Sequence, residues 1–166
     1  MAELVSITGQ PIDQEYDERL DYFIRVPQQE AQLVANHGLA DDRKAGRNPR
    51  RQVNLLSQEW LDGLAPQGFK TAPGSFGEQL IVKGLDFSTI ARGDRLFFDG
   101  TACLEITGPR EGCVRLDLAQ GRETAVHAGA IGLLARVITG GPIRVGSTVT
   151  LQKSEPAKQT TGTQHS

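Results

Sequence analysis

Residues 92–113 read RGDRLFFDGTACLEITGPREGC, and the fold turns on how this stretch is interpreted. Gly93-Asp94 is a turn signal. Leu96, Phe97 and Phe98 form a short apolar run, and the Asp99-Gly100 behind them favours a tight hairpin turn. Thr101 to Thr107 follow as a second strand of mixed β-branched and apolar residues. Pro109 has no N–H for a sheet ladder, so the strand is predicted to end there and leave Arg110 to Cys113 in a loop. A loop thiol with Arg110 and Arg115 close in sequence has the setting that lowers a cysteine pKa. A half-buried structural cysteine is the bland reading of the same residue.

The same grammar of short strands cut by glycine extends in both directions. A weak edge strand is expected around Leu4, Val5 and Ile7. Residues 22–26, YFIRV, read as a strand stopped by Pro27, and residues 28–36 fit a helical turn or a strand. Val53 to Leu56 is a strand, and Ser57 is a good N-cap for a helix through Leu64, with Trp60, Leu61 and Leu64 on one packing face. Residues 73–78, PGSFGE, form a loop before a strand over Gln79–Val82. Residues 114–118 are a short mixed segment, residues 130–138 a buried strand, and alternation resumes at Ile143, Val145, Val149 and Leu151. This pattern favours a mainly β fold, a barrel of short strands with one or two short helices. The domain is expected to span residues 1–152, followed by a polar, disordered tail over 153–166.

With 166 residues, one domain burying roughly two thirds of its unfolded surface is the simplest arrangement. The formal net charge of −2 gives no general pull toward nucleic acid or acidic membranes. No apolar run approaches the roughly 20 residues that span a bilayer, and the start lacks a signal peptide's basic and apolar regions. A cytoplasmic setting is expected, where Cys103 and Cys113 are free thiols rather than a disulfide. Neither has a Cys/His set at zinc spacing nearby.

Charge is concentrated locally. Residues 37–51, HGLADDRKAGRNPRR, hold Arg43, Lys44, Arg47, Arg50 and Arg51, five of the eighteen Lys and Arg. One reading is a solvated loop; the other is an anion cradle, because guanidinium groups grip phosphate bidentately. Nucleic acid is the poorer partner, since no aromatic residues are interleaved with these charges.

Taken in order, these segments resemble the MOSC family, the domain found at the C-terminus of molybdenum cofactor sulfurases and as small free-standing bacterial proteins. Residues 38–44, GLADDRK, are similar to the family's G-L-x-G-D-R-H, and residues 51–56, RQVNLL, to its R-Q-V-S-L. Residues 73–80 resemble P-G-x-x-G-E-N-L, Gly93-Asp94 the next G-D turn, and Pro109 to Cys113 the P-R-x-P-C loop. Residues 129–149 resemble G-x-x-A-R-V-x-x-G-G-x-I-x-x-G-D-x-V. Any one match is weak, but six in order over about residues 32–151 are specific. Asp41 departs from the family's Gly, Lys44 from His, Gln79 from Asn, Gly112 from Pro and Ser147 from Asp.

The resemblance implies a β-barrel-like fold whose loop cysteine, Cys113, carries sulfur as a persulfide or ligates the molybdenum of the pterin cofactor. It places Arg110 beside that thiol as a holder of anionic groups. Arg43, Lys44 and Arg51 become candidates for the cofactor phosphate or a small acidic substrate. Asp42 is read as orienting Arg43 or as an ordinary structural pair, and Glu78 as a polar site residue or as the acceptor of loop amides. His127 is expected to be a surface or packing residue. A cysteine desulfurase is an implied partner, and pyridoxal phosphate enters only through a separate domain. Three functions remain: a molybdenum-cofactor-dependent or sulfur-transferring enzyme, a non-catalytic anion- or cofactor-binding module, and a redox sensor pairing Cys103 with Cys113.

Overall fold

Hydrogen bonding between the first and last strands of the main sheet turns that sheet into a closed barrel in the computed structural model, which describes residues 1–13, 15, 24–122 and 130–156. Eleven strands occur among the described residues: β1 (Ala2–Gly9), β2 (Val26–Gln28), β3 (Glu30–Val34), β4 (Gly38–Leu39), β5 (Val53–Ser57), β6 (Leu80–Lys83), β7 (Arg95–Phe98), β8 (Ala102–Arg110), β9 (Gly132–Thr139), β10 (Gly141–Arg144) and β11 (Thr148–Gln152). Two seven-residue helices, α1 (Gln58–Leu64) and α2 (Val114–Gln120), accompany them. The barrel runs β11-β7-β8-β9-β5-β6-β1 and closes through β11–β1, while β2 is added outside β1. β10, β3 and β4 form a separate small sheet.

The hairpin expected at Asp99-Gly100 is present. Both residues have positive φ, 49° and 72°, and Thr101 N–H donates to the Phe98 carbonyl at 3.0 Å. Two prolines read as stops lie inside strands instead. Pro27 pairs opposite Thr8 in β2, which among the described residues has only β1 beside it, so its missing N–H breaks no ladder. Pro109 pairs opposite Leu133, beyond a bulge between Ile106 and Gly108 and past the last β7 pairing at Glu105. The Arg110 carbonyl accepts from Ile131 N–H at 2.8 Å, so β8 extends through Arg110 and the loop shrinks to residues 111–113. Of the strand expected at residues 22–26, Tyr22 and Phe23 lie outside the described residues. Of residues 28–36, Gln28 ends β2, Glu30–Val34 form β3 and residues 35–36 turn, with Asn36 at φ 55°; residues 114–118 are part of α2.

Alternation along β5 and β6 divides the core in two. Val53, Leu55, Leu80 and Val82 point into the barrel with Leu4, Leu96, Phe98, Leu104 and Val137. Leu56 and Ile81 point outward and meet Leu61, Leu64, Phe69, Phe76, Leu116 and Ile131. This second cluster fastens α1, α2 and the 73–78 loop to the barrel wall. α1 begins as its cap predicts, with Ser57 Oγ accepting from Trp60 N–H at 3.3 Å. Strands β5 and β9 approach so closely at Gly132 that a Cβ there would sit 2.2 Å from the Leu55 carbonyl oxygen. Between the turn before β7 and the end of β11, buried Asp94 accepts from Ala91 N–H, Lys153 Nζ and the Ser154 N–H and hydroxyl. Lys153 and Ser154, the first two residues of the expected tail, are therefore tied to the barrel; residues 157–166 lie outside the described residues. No helix among the described residues is long and apolar enough to cross a membrane.

Candidate functional site

The 73–78 loop supplies the inner half of the site. Gly74, at φ 88°, lets the chain turn back so that the Glu78 carboxylate accepts from the Gly74 and Phe76 amides, the latter at 3.1 Å. Glu78 is buried, and burial pushes its carboxyl above the ordinary range, opposed by the Gly74 amide and by the charges of Arg110 and Arg25. It serves the loop amides and does not line the cavity.

Arg110, the last residue of β8, is buried beside that loop and donates from Nη2 to the Phe76 carbonyl. Its Nε and Nη1 have no hydrogen-bond partner among the described residues. Burial lowers its pKa to about 10; Glu78 works against that shift, and the neighbouring Arg25 and Arg51 add to it. Arg110 is still a cation at neutral pH, with donor capacity unused. A buried donor without an acceptor is costly, so an anion arriving here gains more than one meeting a solvated arginine.

Those donors border a cavity of about 660 Å3 lined by Arg25, Lys44, Arg47, Arg51, Arg110 and Arg115, against the single carboxylate, among the described residues, of Glu111. Cys113 lines the same cavity, exposed, at the N-cap of α2. Cys103 is buried in β8, where burial pushes its thiol up. Asn54 and Gln79 form part of the wall, and Gln79 Oε1 accepts from Asn54 N–H at 2.8 Å.

Of the residues singled out from the sequence, Cys113, Arg110, Lys44 and Arg51 meet at this cavity. Arg43 does not: its guanidinium donates to the Ile12 carbonyl at 3.3 Å, away from the lining. Asp42 is buried and accepts from Gln10 N–H (3.2 Å), Lys44 N–H (3.1 Å) and Gln79 Nε2 (3.3 Å). It also faces Arg25 Nη1 at 3.8 Å. Asp42 thus organises the base of the cationic loop and pairs with Arg25. Asp41, where the family has glycine, takes φ 60°, a conformation aspartate tolerates better than most residues. His127 lies outside the described residues. Arg25 is the lining cation that sequence reasoning missed; its only signal was a lone charge between Ile24 and Val26.

Residues 42–150 match the MOSC domain family model, and the chain belongs to that family. Solved structures agree in fold. The YUAD protein from Bacillus subtilis superposes with a TM-score of 0.71 at 16% identity, covering 93% of this chain and 98% of that one. YiiM from Geobacillus stearothermophilus gives 0.68 at 21% identity, with 92% and 76% covered. YiiM from Escherichia coli gives 0.62 at 22%, with 92% and 71% covered. No curated protein matches the chain in sequence.

Proposed function

We propose that this MOSC protein binds a phosphorylated molybdenum–pterin cofactor in the basic cavity, with Cys113 as the protein's sulfur donor to the metal. One observation supports this above others: the buried donors of Arg110, unpartnered among the described residues, and the exposed Cys113 thiol line a single cation-rich cavity of about 660 Å3. That volume lies within the range of organic-cofactor sites and exceeds what a lone sulfur atom or inorganic anion needs. A thiolate is a soft ligand suited to such a metal, and as a single donor it requires the metal to arrive held by its pterin. When bound, the group supplies two-electron redox chemistry.

The chain's own residues do the holding. Arg51, Lys44, Arg47 and Arg115 offer charge at the opening, and Arg110 offers fixed donors at depth. Glu78 and the Phe76 carbonyl fix Arg110, and Asp42 fixes the loop that carries Lys44. The exposure of Cys113 also favours a sulfur-carrier reading, in which a cysteine desulfurase loads it as a persulfide. Two free cysteines fit a cytoplasmic setting for either role.

Molybdenum analysis of protein purified from cofactor-producing cells tests the first reading. Near-stoichiometric metal is expected in the wild type, and strong loss in Cys113→Ser and Arg51→Ala. Arg43→Ala, outside the lining, should retain it. Equal metal content in all four proteins would overturn the assignment. Persulfide loading of a metal-free wild type, absent in Cys113→Ser, would move the function to sulfur carriage.

A further inference from the structure

A second cavity, of about 850 Å3, opens on the other side of Pro109. Pro109 lines both spaces, whereas Gly108 faces only this one and Arg110 only the basic one. Its floor is the end of the barrel core: Ile90, Ile106 and Leu133 are buried members of the interior cluster. Trp60 from α1 and Phe87 from the turn Phe87–Thr89 form the walls. The indole is braced edge-on against Phe76, with ring centroids 5.1 Å apart and planes at 67°, so it presents a fixed surface.

The acidic groups at the rim are already engaged. Glu59 accepts from Gly84 N–H at 2.7 Å and from the Ser57 hydroxyl at 3.0 Å. Asp86 accepts from the Ser88 N–H at 3.0 Å and its hydroxyl at 2.6 Å. Arg92 is exposed to water at the edge. Apolar walls with self-satisfied carboxylates recognise shape and area rather than charge, the reverse of the neighbouring cavity.

We infer that this barrel-mouth cavity binds an uncharged, ring-bearing small molecule, the apolar body of a substrate whose reacting end passes Pro109 into the basic cavity. The substrate role rests on the function proposed above; the binding of a neutral apolar ring does not. Trp60 is the only tryptophan in the chain, so its emission reports on this cavity alone.

Full-length protein titrated with the neutral probe N-phenyl-1-naphthylamine should show saturable one-to-one binding, with energy transfer from Trp60 to the probe. Inorganic phosphate should not compete. Gly108→Phe is the blocking variant, because a Cβ at Gly108 meets no atom within 4 Å and its φ is not positive. It should weaken the probe about tenfold or more by occupying the apolar area while leaving the thermal midpoint unchanged. Ala91→Phe, at another lining position that is exposed, serves if Gly108→Phe is unstable. Cys113→Ser and Arg51→Ala should bind the probe as the wild type does, so failure of the cofactor reading leaves this result standing. Non-saturable binding, absence of energy transfer from Trp60, or unchanged affinity in a folded blocking variant would overturn the assignment.

Discussion

Arg110 and Glu78 illustrate how a buried charge can be tolerated for the sake of a site. Burial moves both groups toward neutrality, the arginine down and the carboxyl up, so desolvation outweighs their mutual attraction. Removing the guanidinium leaves Glu78 with two amide donors but less compensating charge. Arg110→Ala should therefore cost about 3 kcal/mol at neutral pH. A carboxyl whose folded pKa is raised contributes its stability below the unfolded value and loses it as pH rises through the folded one. The variant should thus lie closest to wild type below about pH 4.5 and fall away as pH rises, a trend that thermal midpoints measured from pH 4 to 8 would show. A constant deficit across that range would mean that Glu78 does not feel the lost charge. The two thiols differ as plainly. With Cys113 exposed and Cys103 buried, iodoacetamide at pH 7 followed by peptide mass spectrometry should place nearly all early label on Cys113. Equal labelling would revive the paired-thiol sensor.

Elements were legible where their signal was local. Asp99-Gly100 and the Ser57 cap carry their geometry in one or two side chains, and both form as expected. The seven residues of α2 span under two turns, too few to show a period, and its Cys113 cap makes no side-chain hydrogen bond, so nothing marked it as a helix. Pro27 and Pro109 misled because a proline's effect depends on which neighbour the strand lacks, and neighbours are set by pairing. The site divides in the same way. Arg110 and Cys113 come together because they are close in sequence, and Arg43 and Lys44 part because the chain turns between them. Arg25 joins through packing of a distant segment, which no local pattern records. Local spacing also gives two glycines opposite expectations. Gly132→Ala would drive its methyl into the Leu55 carbonyl and should destabilise by about 2–3 kcal/mol or abolish soluble expression. Gly63→Ala, within α1 and with open space around it, should stabilise by about 0.5–1 kcal/mol. Urea unfolding of both variants checks the pair; equal effects would place β5 and β9 farther apart than described.

At the scale of the whole molecule, the Asp94 clasp joins the end of β11 to the turn before β7. The Ala91 amide, followed by Lys153 and Ser154, holds the Asp94 carboxyl well below the usual carboxylate range. A chain ending at Ser154 should keep the full-length thermal midpoint to within about a degree, since it retains these contacts. A chain ending at Gln152 should lose a few degrees. Because a depressed pKa contributes stability above the unfolded value and loses it as pH falls, the gap between the two truncations should narrow below about pH 4. Two truncations with the same midpoint at pH 7 would show that the clasp adds nothing. The β1–β11 seam has a further consequence for biosynthesis. β1 is synthesised before β11, with about 140 residues between them at 5–20 residues per second, so for roughly 7–28 s the nascent chain carries an unsealed β1 flank. During that interval the barrel is an open ribbon with a free sticky edge, and a holding chaperone has its greatest opportunity before residue 152 emerges.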